Sequence, residues 1–112
     1  MKLALGDAWP AVETAYRGPL EQPGDRQGCA LFPRMLCDPW LDEIWQRRAA
    51  LCDVPARLIW GGADPAFPAP MRERLASVFD RCEVTVHEGV GHFVAENLGE
   101  RLVPAVEAFL RA

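Results

Sequence analysis

The sequence predicts an α/β fold in which parallel strands are flanked by helices. A short, almost entirely apolar run over 56–60 is typical of a buried parallel strand. Residues 82–87 alternate between apolar and polar side chains, which is the period that a strand requires. Helical patterns precede, separate and follow these runs, so 39–112 has the order helix, strand, helix, strand, helix. That alternation is typical of a parallel sheet with helices packed on it.

The stretch over 1–38 is rich in turn-forming residues, as in Gln22-Pro23-Gly24-Asp25. One short helix is predicted there, over 10–16, because Pro10 suits the first turn of a helix. The rest of the stretch is predicted to be loop. The chain therefore divides into a loop-rich region over 1–38 and an α/β region over 39–112.

The α/β region starts with a helix signal at Asp38-Pro39, where an acidic cap precedes a proline in the first helical position. Trp40 and Trp45 follow at helical spacing and are predicted to face the core. The first strand is followed by a loop over 61–69 and by a helix over 71–79. The residues of that helix predicted to face inward are Leu75, Val78 and Phe79.

The second strand is followed by a loop over 88–94 and by the last predicted helix. Asn97 and Glu100 have the spacing of a capping box at its start. Pro104 predicts a kink or a restart, because proline removes a hydrogen bond inside a helix. The apolar face of this helix is predicted to consist of Val103, Val106, Phe109 and Leu110.

Composition and charge disfavour several classes of partner and cofactor. The net charge is −4 and Lys and Arg are not clustered, so nucleic-acid binding is not predicted. No apolar run approaches the ~20 residues of a membrane span, and the first residues do not resemble a signal peptide. We therefore expect a cytoplasmic chain. The cysteines form no C-x-x-C pair, so we expect no metal site and no cofactor. They are predicted to be buried and to pack as small apolar residues.

An acid and a histidine lie in loops that follow the two predicted strands. Asp64 comes after the first strand and Gly62, and His92 comes after the second strand and Gly91. Loops beyond the carboxyl ends of parallel strands meet at one crevice, so these side chains are predicted to lie within hydrogen-bonding range. A carboxylate that binds one ring nitrogen fixes the orientation of a general base and stabilises its imidazolium form. The pattern therefore predicts the acid and base of a hydrolase triad.

The rival residues fit this role less well. His87 lies inside the second strand and is predicted to be structural. Asp53 and Asp80 precede the strands and belong to the opposite rim of the sheet, while Glu96 marks the start of the last helix.

No residue of the chain fits the third role, that of the nucleophile. Ser77 lies inside a predicted helix, and the cysteines lack the flanking residues of a nucleophile elbow. The run Gly62-Ala63-Asp64-Pro65-Ala66 superficially resembles an elbow. It is rejected because the residue after a nucleophile donates its N–H to the oxyanion hole, and Pro65 has none.

These residues resemble a known superfamily. The run over 54–64, together with Gly91-His92-Phe93-Val94-Ala95-Glu96-Asn97, looks like the C-terminal part of an α/β-hydrolase. Ala15-Tyr16-Arg17-Gly18-Pro19-Leu20 and Leu31-Phe32-Pro33-Arg34-Met35 are similar to the end of the cap region in haloalkane dehalogenases. The resemblance covers nearly the whole chain, but less than half of a usual family member.

The resemblance implies that Asp64 is the triad acid and that His92 is the general base. It also implies that four residues line a pocket for a small apolar substrate, although ordinary core packing is an equal alternative for them. In that family an aspartate displaces halide to form an ester, and the histidine then activates water to cleave it. The aspartate would lie in an N-terminal part that these residues do not match. The implied pocket residues are Phe32, Pro33, Leu36 and Phe67.

The sequence thus predicts a hydrolase fragment, most like haloalkane dehalogenase, that is inactive alone because it lacks the nucleophile. An esterase or an epoxide hydrolase stays open for the same reason. A different alternative is a non-catalytic module whose bare strand edge docks on a partner, either an N-terminal half or a second copy.

Overall fold

The structure of the protein is a computed structural model that describes residues 9–35 and 39–111. Its strands are β1 (Ala56–Gly61) and β2 (Cys82–His87). Short 3₁₀ helices cover Gly18–Leu20, Pro23–Arg26, Arg48–Leu51 and Gly99–Leu102. The α-helices are α1 (Trp9–Arg17), α2 (Gln27–Met35), α3 (Trp40–Gln46), α4 (Ala69–Ala76), α5 (Val94–Leu98) and α6 (Val103–Leu110).

The two strands pair in parallel, as the sequence predicts. Their register runs from Ala56 opposite Cys82 to Gly61 opposite His87. A parallel pair needs a crossover, and α4 returns the chain from the end of β1 to the start of β2. Both strands therefore end at the same rim of the sheet. The predicted α/β class, with two parallel strands and flanking helices, is confirmed.

The prediction of loop after the first helix is wrong for 18–35. This stretch contains two 3₁₀ helices and α2. Pro19 and Pro23 each lie in the first turn of a 3₁₀ helix, where the fixed φ of proline is compatible with helical structure. Asp25 adds a cap, because its carboxylate accepts a hydrogen bond from the Gln22 N–H at 3.2 Å. Pro33 lies inside α2.

The helix predicted from Pro39 is α3, with Pro39 at its N-cap, while Asp38 lies outside the described residues. The prediction that Trp40 faces the core is wrong, because this side chain is 45% exposed. Trp45 is half-buried. Its indole ring lies 4.6 Å from the guanidinium carbon of Arg48 and 4.1 Å from that of Arg74. The contact with Arg74, a cation–π interaction, therefore joins α3 to α4.

The helix that follows β1 ends earlier than predicted, at Ala76, and Ser77 caps it by donating a hydrogen bond to the Arg74 carbonyl at 2.8 Å. The prediction that Leu75 faces inward is wrong, because it is exposed. Val78 and Phe79 are half-buried in the turn that leads to β2.

The capping box predicted at Asn97 is wrong. Asn97 lies inside α5, and its side-chain amide donates to the Phe93 carbonyl one turn earlier, at 2.8 Å. Gly99, with φ 53°, interrupts the helix, and the chain continues as a 3₁₀ helix and then as α6. Pro104 lies in the first turn of α6, so the predicted restart is confirmed.

The described residues form a thin core. Trp9 and Leu98 are the large apolar side chains that are fully buried, whereas Val103, Val106 and Leu110 on α6 are exposed. The radius of gyration is 16.5 Å, above the roughly 13 Å expected for a compact domain of this length. Apolar faces of the helices therefore remain uncovered. None of the helices in 9–35 and 39–111 combines the length and apolarity of a membrane span.

Candidate active site

The site lies at the rim where β1 and β2 end. The loops after the two strands are joined by backbone hydrogen bonds, from the Gly62 N–H to the His87 carbonyl and from the Ala63 N–H to the Val90 carbonyl, both at 2.9 Å. These bonds continue the ladder of the sheet past the last strand residues. They fix the two loops relative to each other before any side chain is considered.

Asp64 and His92 meet at this rim. Nδ1 of His92 lies 2.9 Å from Oδ2 of Asp64 and 3.1 Å from Oδ1. The Asp64 side chain is 5% exposed and that of His92 is 26% exposed. The contact predicted from the strand order therefore exists. Its burial makes the bond stronger than the same pair would form in water.

The Asp64 carboxylate is held by its own loop. Oδ1 accepts hydrogen bonds from the Ala66 N–H at 2.8 Å and from the Phe67 N–H at 3.0 Å. Burial is the largest single influence on this carboxyl and would raise its pKa. The hydrogen bonds from Phe67, His92 and Ala66 together outweigh burial, so the pKa lies below its ordinary value. Asp64 is therefore an anion at neutral pH.

The His92 ring lies between two aromatic rings. The centroid of Phe67 is 4.8 Å away and that of Phe93 is 5.0 Å away, both in edge-to-face geometry. Because Nδ1 binds Asp64, a neutral ring carries its proton there and leaves Nε2 as the proton acceptor. No hydrogen bond within 9–35 or 39–111 involves Nε2. The ring is thus oriented as a base with one free nitrogen.

Gly61 allows the two loops to approach closely. It is buried, and a Cβ atom at this position would collide with the carbonyl oxygens of Val90 and Gly91. Gly89 has φ 76°, a conformation that favours glycine, where the chain turns out of β2. The positions of these glycines follow from the geometry that the site requires.

The rival residues lie elsewhere. His87 is the last residue of β2, opposite Gly61. Asp53 and Asp80 lie before the strands, at the opposite rim, and Ser77 lies between α4 and β2 at that same side. With Cys52, these two acids place a thiol and two carboxylates within 4.8 Å of one another, and the acids are exposed.

The implied pocket residues that the structure describes differ in their contact with the acid–base pair and in their exposure. Phe67 contacts the His92 ring. Phe32 and Pro33 lie on α2 and are exposed, Phe32 by 63%, and α2 packs mainly on the 3₁₀ helix Pro23–Arg26. These two are therefore not brought against the acid–base pair in the way that Phe67 is. Leu36 lies outside the described residues.

Sequence reasoning missed two contacts of the site. The Tyr16 hydroxyl donates a hydrogen bond to Oε1 of Glu96 at 2.9 Å, and its ring lies 6.0 Å from that of Phe93. The Trp60 indole N–H donates to the Phe67 carbonyl at 2.9 Å. The first contact joins residues far apart in the chain and has no signal in the sequence. The second joins a strand residue to the adjacent loop, where the two aromatic residues Trp60 and Phe67, seven positions apart, were the available signal.

Comparison with known proteins adds one relative. No family model matches this chain. Over 107 aligned residues the chain is 28% identical to a cis-3-alkyl-4-alkyloxetan-2-one decarboxylase of Xanthomonas campestris pv. campestris, an α/β-hydrolase family member. This similarity supports the α/β-hydrolase superfamily. The alignment covers 89% of the chain and 36% of the relative, and the observed fold is consistent with the C-terminal part of an α/β-hydrolase.

The cysteines differ in part from the prediction that they are buried. Cys29 is exposed on α2, Cys52 and Cys82 are half-buried, and Cys37 lies outside the described residues. All three described cysteines are free thiols. None of them contacts the Asp64–His92 pair through a hydrogen bond in the described part of the chain.

Proposed function

We propose that this chain supplies the acid and the general base of a hydrolytic active site of the α/β-hydrolase type, most like that of haloalkane dehalogenases. The observation that carries the proposal is the bond between the buried Asp64 carboxylate and Nδ1 of His92 at the rim where both strands end. That bond leaves Nε2 free to take a proton. The two flanking phenylalanine rings make the surroundings of the base apolar, which suits a small apolar substrate.

In the proposed reaction an aspartate nucleophile attacks the carbon that bears the halide. A carbon–oxygen bond forms, the carbon–halogen bond breaks, and halide leaves with the bonding electrons. His92 then removes a proton from water through Nε2 while the resulting hydroxide attacks the ester carbonyl. Asp64 stabilises the imidazolium until the proton passes to the departing alcohol. The carboxyl group of the nucleophile keeps the second proton of the water and releases it to solvent, which regenerates the carboxylate, so the net products are alcohol, halide and a proton.

The nucleophile of this reaction would come from polypeptide beyond these 112 residues. Ser77, the only serine, binds the Arg74 carbonyl and lies toward the opposite rim of the sheet. The relative extends well beyond the aligned portion, since the chain spans 36% of it. We therefore expect the 112-residue chain alone to show no turnover. Turnover by the isolated chain that His92→Ala abolishes would contradict this part of the proposal.

A second candidate reaction follows from the relative. Its name gives a cis-3-alkyl-4-alkyloxetan-2-one as the substrate and decarboxylation as the reaction. Such a four-membered lactone with two alkyl groups is also apolar, so the surroundings of His92 suit it equally. Esterase and epoxide hydrolase reactions also stay open, because the nucleophile and the rest of the pocket decide among these chemistries.

A non-catalytic role is the alternative from another class. The described residues form a two-stranded sheet, so each strand has an unpaired outer edge, and apolar residues such as Val84 and Val106 are exposed. Unpaired edges and exposed apolar faces favour docking on further polypeptide. Docking of an N-terminal half that carries the nucleophile would be compatible with both the docking role and catalysis. Docking of a second copy of the chain would be compatible with the docking role alone.

The test joins this chain to the part of the Xanthomonas relative that it does not match. The chimera is assayed for halide release from a 1-haloalkane and for carbon dioxide release from a dialkyl oxetanone. We expect one activity, and we expect His92→Ala to lower it by at least about 10³-fold, as loss of a triad base does. The matched control is His87→Ala, which removes the other histidine and should retain most of the activity.

The outcome tests the roles of Asp64 and His92 in hydrolytic chemistry. Either activity, lost in His92→Ala and retained in His87→Ala, supports the acid–base role of this chain, while the substrate that is converted reports on the half that carries the nucleophile. An active chimera in which His92→Ala and His87→Ala behave alike would contradict the role of His92 in either reaction. A folded but inactive chimera that buries the apolar faces would favour the docking module.

A further inference from the structure

The Phe67 residue connects several parts of the candidate site. Its N–H donates to Oδ1 of Asp64 at 3.0 Å, and its ring contacts the ring of His92 at 4.8 Å. Its carbonyl accepts the hydrogen bond from the Trp60 indole N–H at 2.9 Å. One residue thus binds the acid through its backbone and contacts the base through its side chain, and both its polar backbone groups are engaged.

The Trp60 side chain is anchored more firmly than the loop that it contacts. Trp60 lies within β1, opposite Val86 of β2, so the parallel ladder fixes its backbone. The indole is half-buried, and its ring centroid lies 6.3 Å from that of Phe67. Phe67, in contrast, lies in the loop between β1 and α4 and is 43% exposed. The indole N–H therefore joins a loop residue to the sheet.

We propose that Trp60 is a positioning residue for the acid–base pair and acts through Phe67. The indole bond holds the Phe67 carbonyl, which keeps the Phe67 N–H directed at Asp64 and the Phe67 ring against His92. Without it the carboxylate loses a fixed donor and the imidazole loses the surface that limits its rotation. The catalytic meaning of this role rests on the proposed function, whereas the positioning itself is a property of the 112-residue chain.

The test compares Trp60→Phe with Trp40→Phe in the 112-residue chain labelled with ¹⁵N. Trp60→Phe keeps an aromatic ring but removes the indole donor, and Trp40 is an exposed tryptophan on α3. The readout is the proton on Nδ1 of His92, followed by its chemical shift and its exchange with water. Asp64→Asn identifies the signal, because it removes the carboxylate that shifts this proton downfield.

We expect Trp60→Phe to speed exchange of the Nδ1 proton by roughly 3- to 10-fold, the factor that loss of one hydrogen bond produces. Trp40→Phe should leave the exchange unchanged. Equal exchange in wild type, Trp60→Phe and Trp40→Phe would overturn the proposal. Circular dichroism and the unfolding midpoint establish that each variant is folded.

Wild-type chain provides a second measurement, which decides the matter if Trp60→Phe does not fold. The proposal requires that the indole proton of Trp60 exchanges with water more slowly than that of exposed Trp40. It also requires that the indole proton of Trp60 and the Nδ1 proton of His92 exchange through the same opening of the loop, with the same dependence on temperature. An indole proton of Trp60 that exchanges as fast as that of Trp40 rejects the proposal. Neither measurement requires turnover, so an inactive chimera would contradict the proposed function and leave the positioning role intact.

Discussion

The loops that follow β1 and β2 are joined by backbone hydrogen bonds and by the buried Asp64–His92 contact, whereas α1 reaches the same rim through the half-buried side chain of Tyr16. Ala63 binds Val90 across the loops through the backbone. Tyr16, in contrast, binds the exposed carboxylate of Glu96. The comparison indicates that the rim is built by the sheet, and that α1 adds a contact to it without determining its geometry. Changes at the rim should therefore have large effects, and changes of exposed side chains in 9–35 should have small ones.

The largest expected effect is that of Asp64→Asn on activity. The amide cannot hold the Nδ1–H tautomer of His92 or stabilise its imidazolium form, so the rate in the chimera should fall by roughly 10³- to 10⁴-fold. The measurement is kcat for whichever substrate the chimera converts. Asp53→Asn is the matched control, because Asp53 lies at the opposite rim. A loss of less than tenfold in Asp64→Asn would mean that Asp64 is not the triad acid.

The next effect is that of Gly61→Ala on stability. The added Cβ would collide with two backbone carbonyls of the His92 loop, which cannot move without opening the rim. We expect the free energy of unfolding to fall by about 1–3 kcal/mol. Gly28→Ala is the control, because the space around Gly28 in α2 is open and alanine is the better helix former. It should stabilise the chain slightly, and equal losses in both variants would contradict the comparison.

Acid should weaken the rim through Asp64. Because the folded pKa of Asp64 lies below its ordinary value, its stabilising contribution is fully present above the unfolded pKa of about 3.9 and is lost as the pH falls through the folded pKa. Denaturation midpoints measured from pH 6 to pH 2 should therefore fall more steeply in wild type than in Asp64→Asn. Parallel curves would show that Asp64 carries no proton-linked stability.

The parts of the site that the sequence predicts are those fixed by local pattern and chain order. The strands follow from the apolar run before Gly61 and from the alternation up to His87, and parallel pairing then places both loops at one rim. Asp64 and His92 need no further information to meet. The site is predictable because the sheet, not distant packing, brings its residues together.

The features that the sequence does not predict depend on competing local signals or on distant contacts. Pro33 is compatible with both a turn and a helix, and the structure places it inside α2. The sequence around Asn97 is compatible with a helix cap and with a position inside a helix, and in the structure its side-chain amide donates to the Phe93 carbonyl from within α5. The exposure of Trp40 and Leu75 could not be read from helical spacing, because spacing identifies an apolar face but not whether another element covers it.

A smaller effect concerns the contact of α1 with the rim. The hydrogen bond to Glu96, together with slight burial and the carboxylate charge, raises the pKa of Tyr16 above its ordinary value. The chain has one tyrosine, so its absorbance titration reports this group alone. Glu96→Ala should lower the midpoint toward 10, while Glu100→Ala should not change it. The stability that this bond contributes is fully present below the unfolded pKa of Tyr16 and is lost as the pH rises through its folded pKa. An unchanged titration midpoint of Tyr16 in Glu96→Ala would show that Tyr16 does not bind Glu96 and that α1 is not docked at the rim.

The smallest effect expected is that of Phe32→Ser on stability. Phe32 is 63% exposed on α2, so its replacement removes little buried apolar area, and the free energy of unfolding should change by less than about 0.5 kcal/mol. If Phe32 lines a substrate pocket completed by other polypeptide, as the dehalogenase resemblance implies, the same variant should raise KM in the chimera. Phe67→Ser is the informative partner, because Phe67 contacts His92 and should lower kcat as well. A large loss of stability in Phe32→Ser would instead show that this side chain is buried in a core. It would contradict the expectation that changes of exposed side chains on α2 affect stability less than changes at the rim.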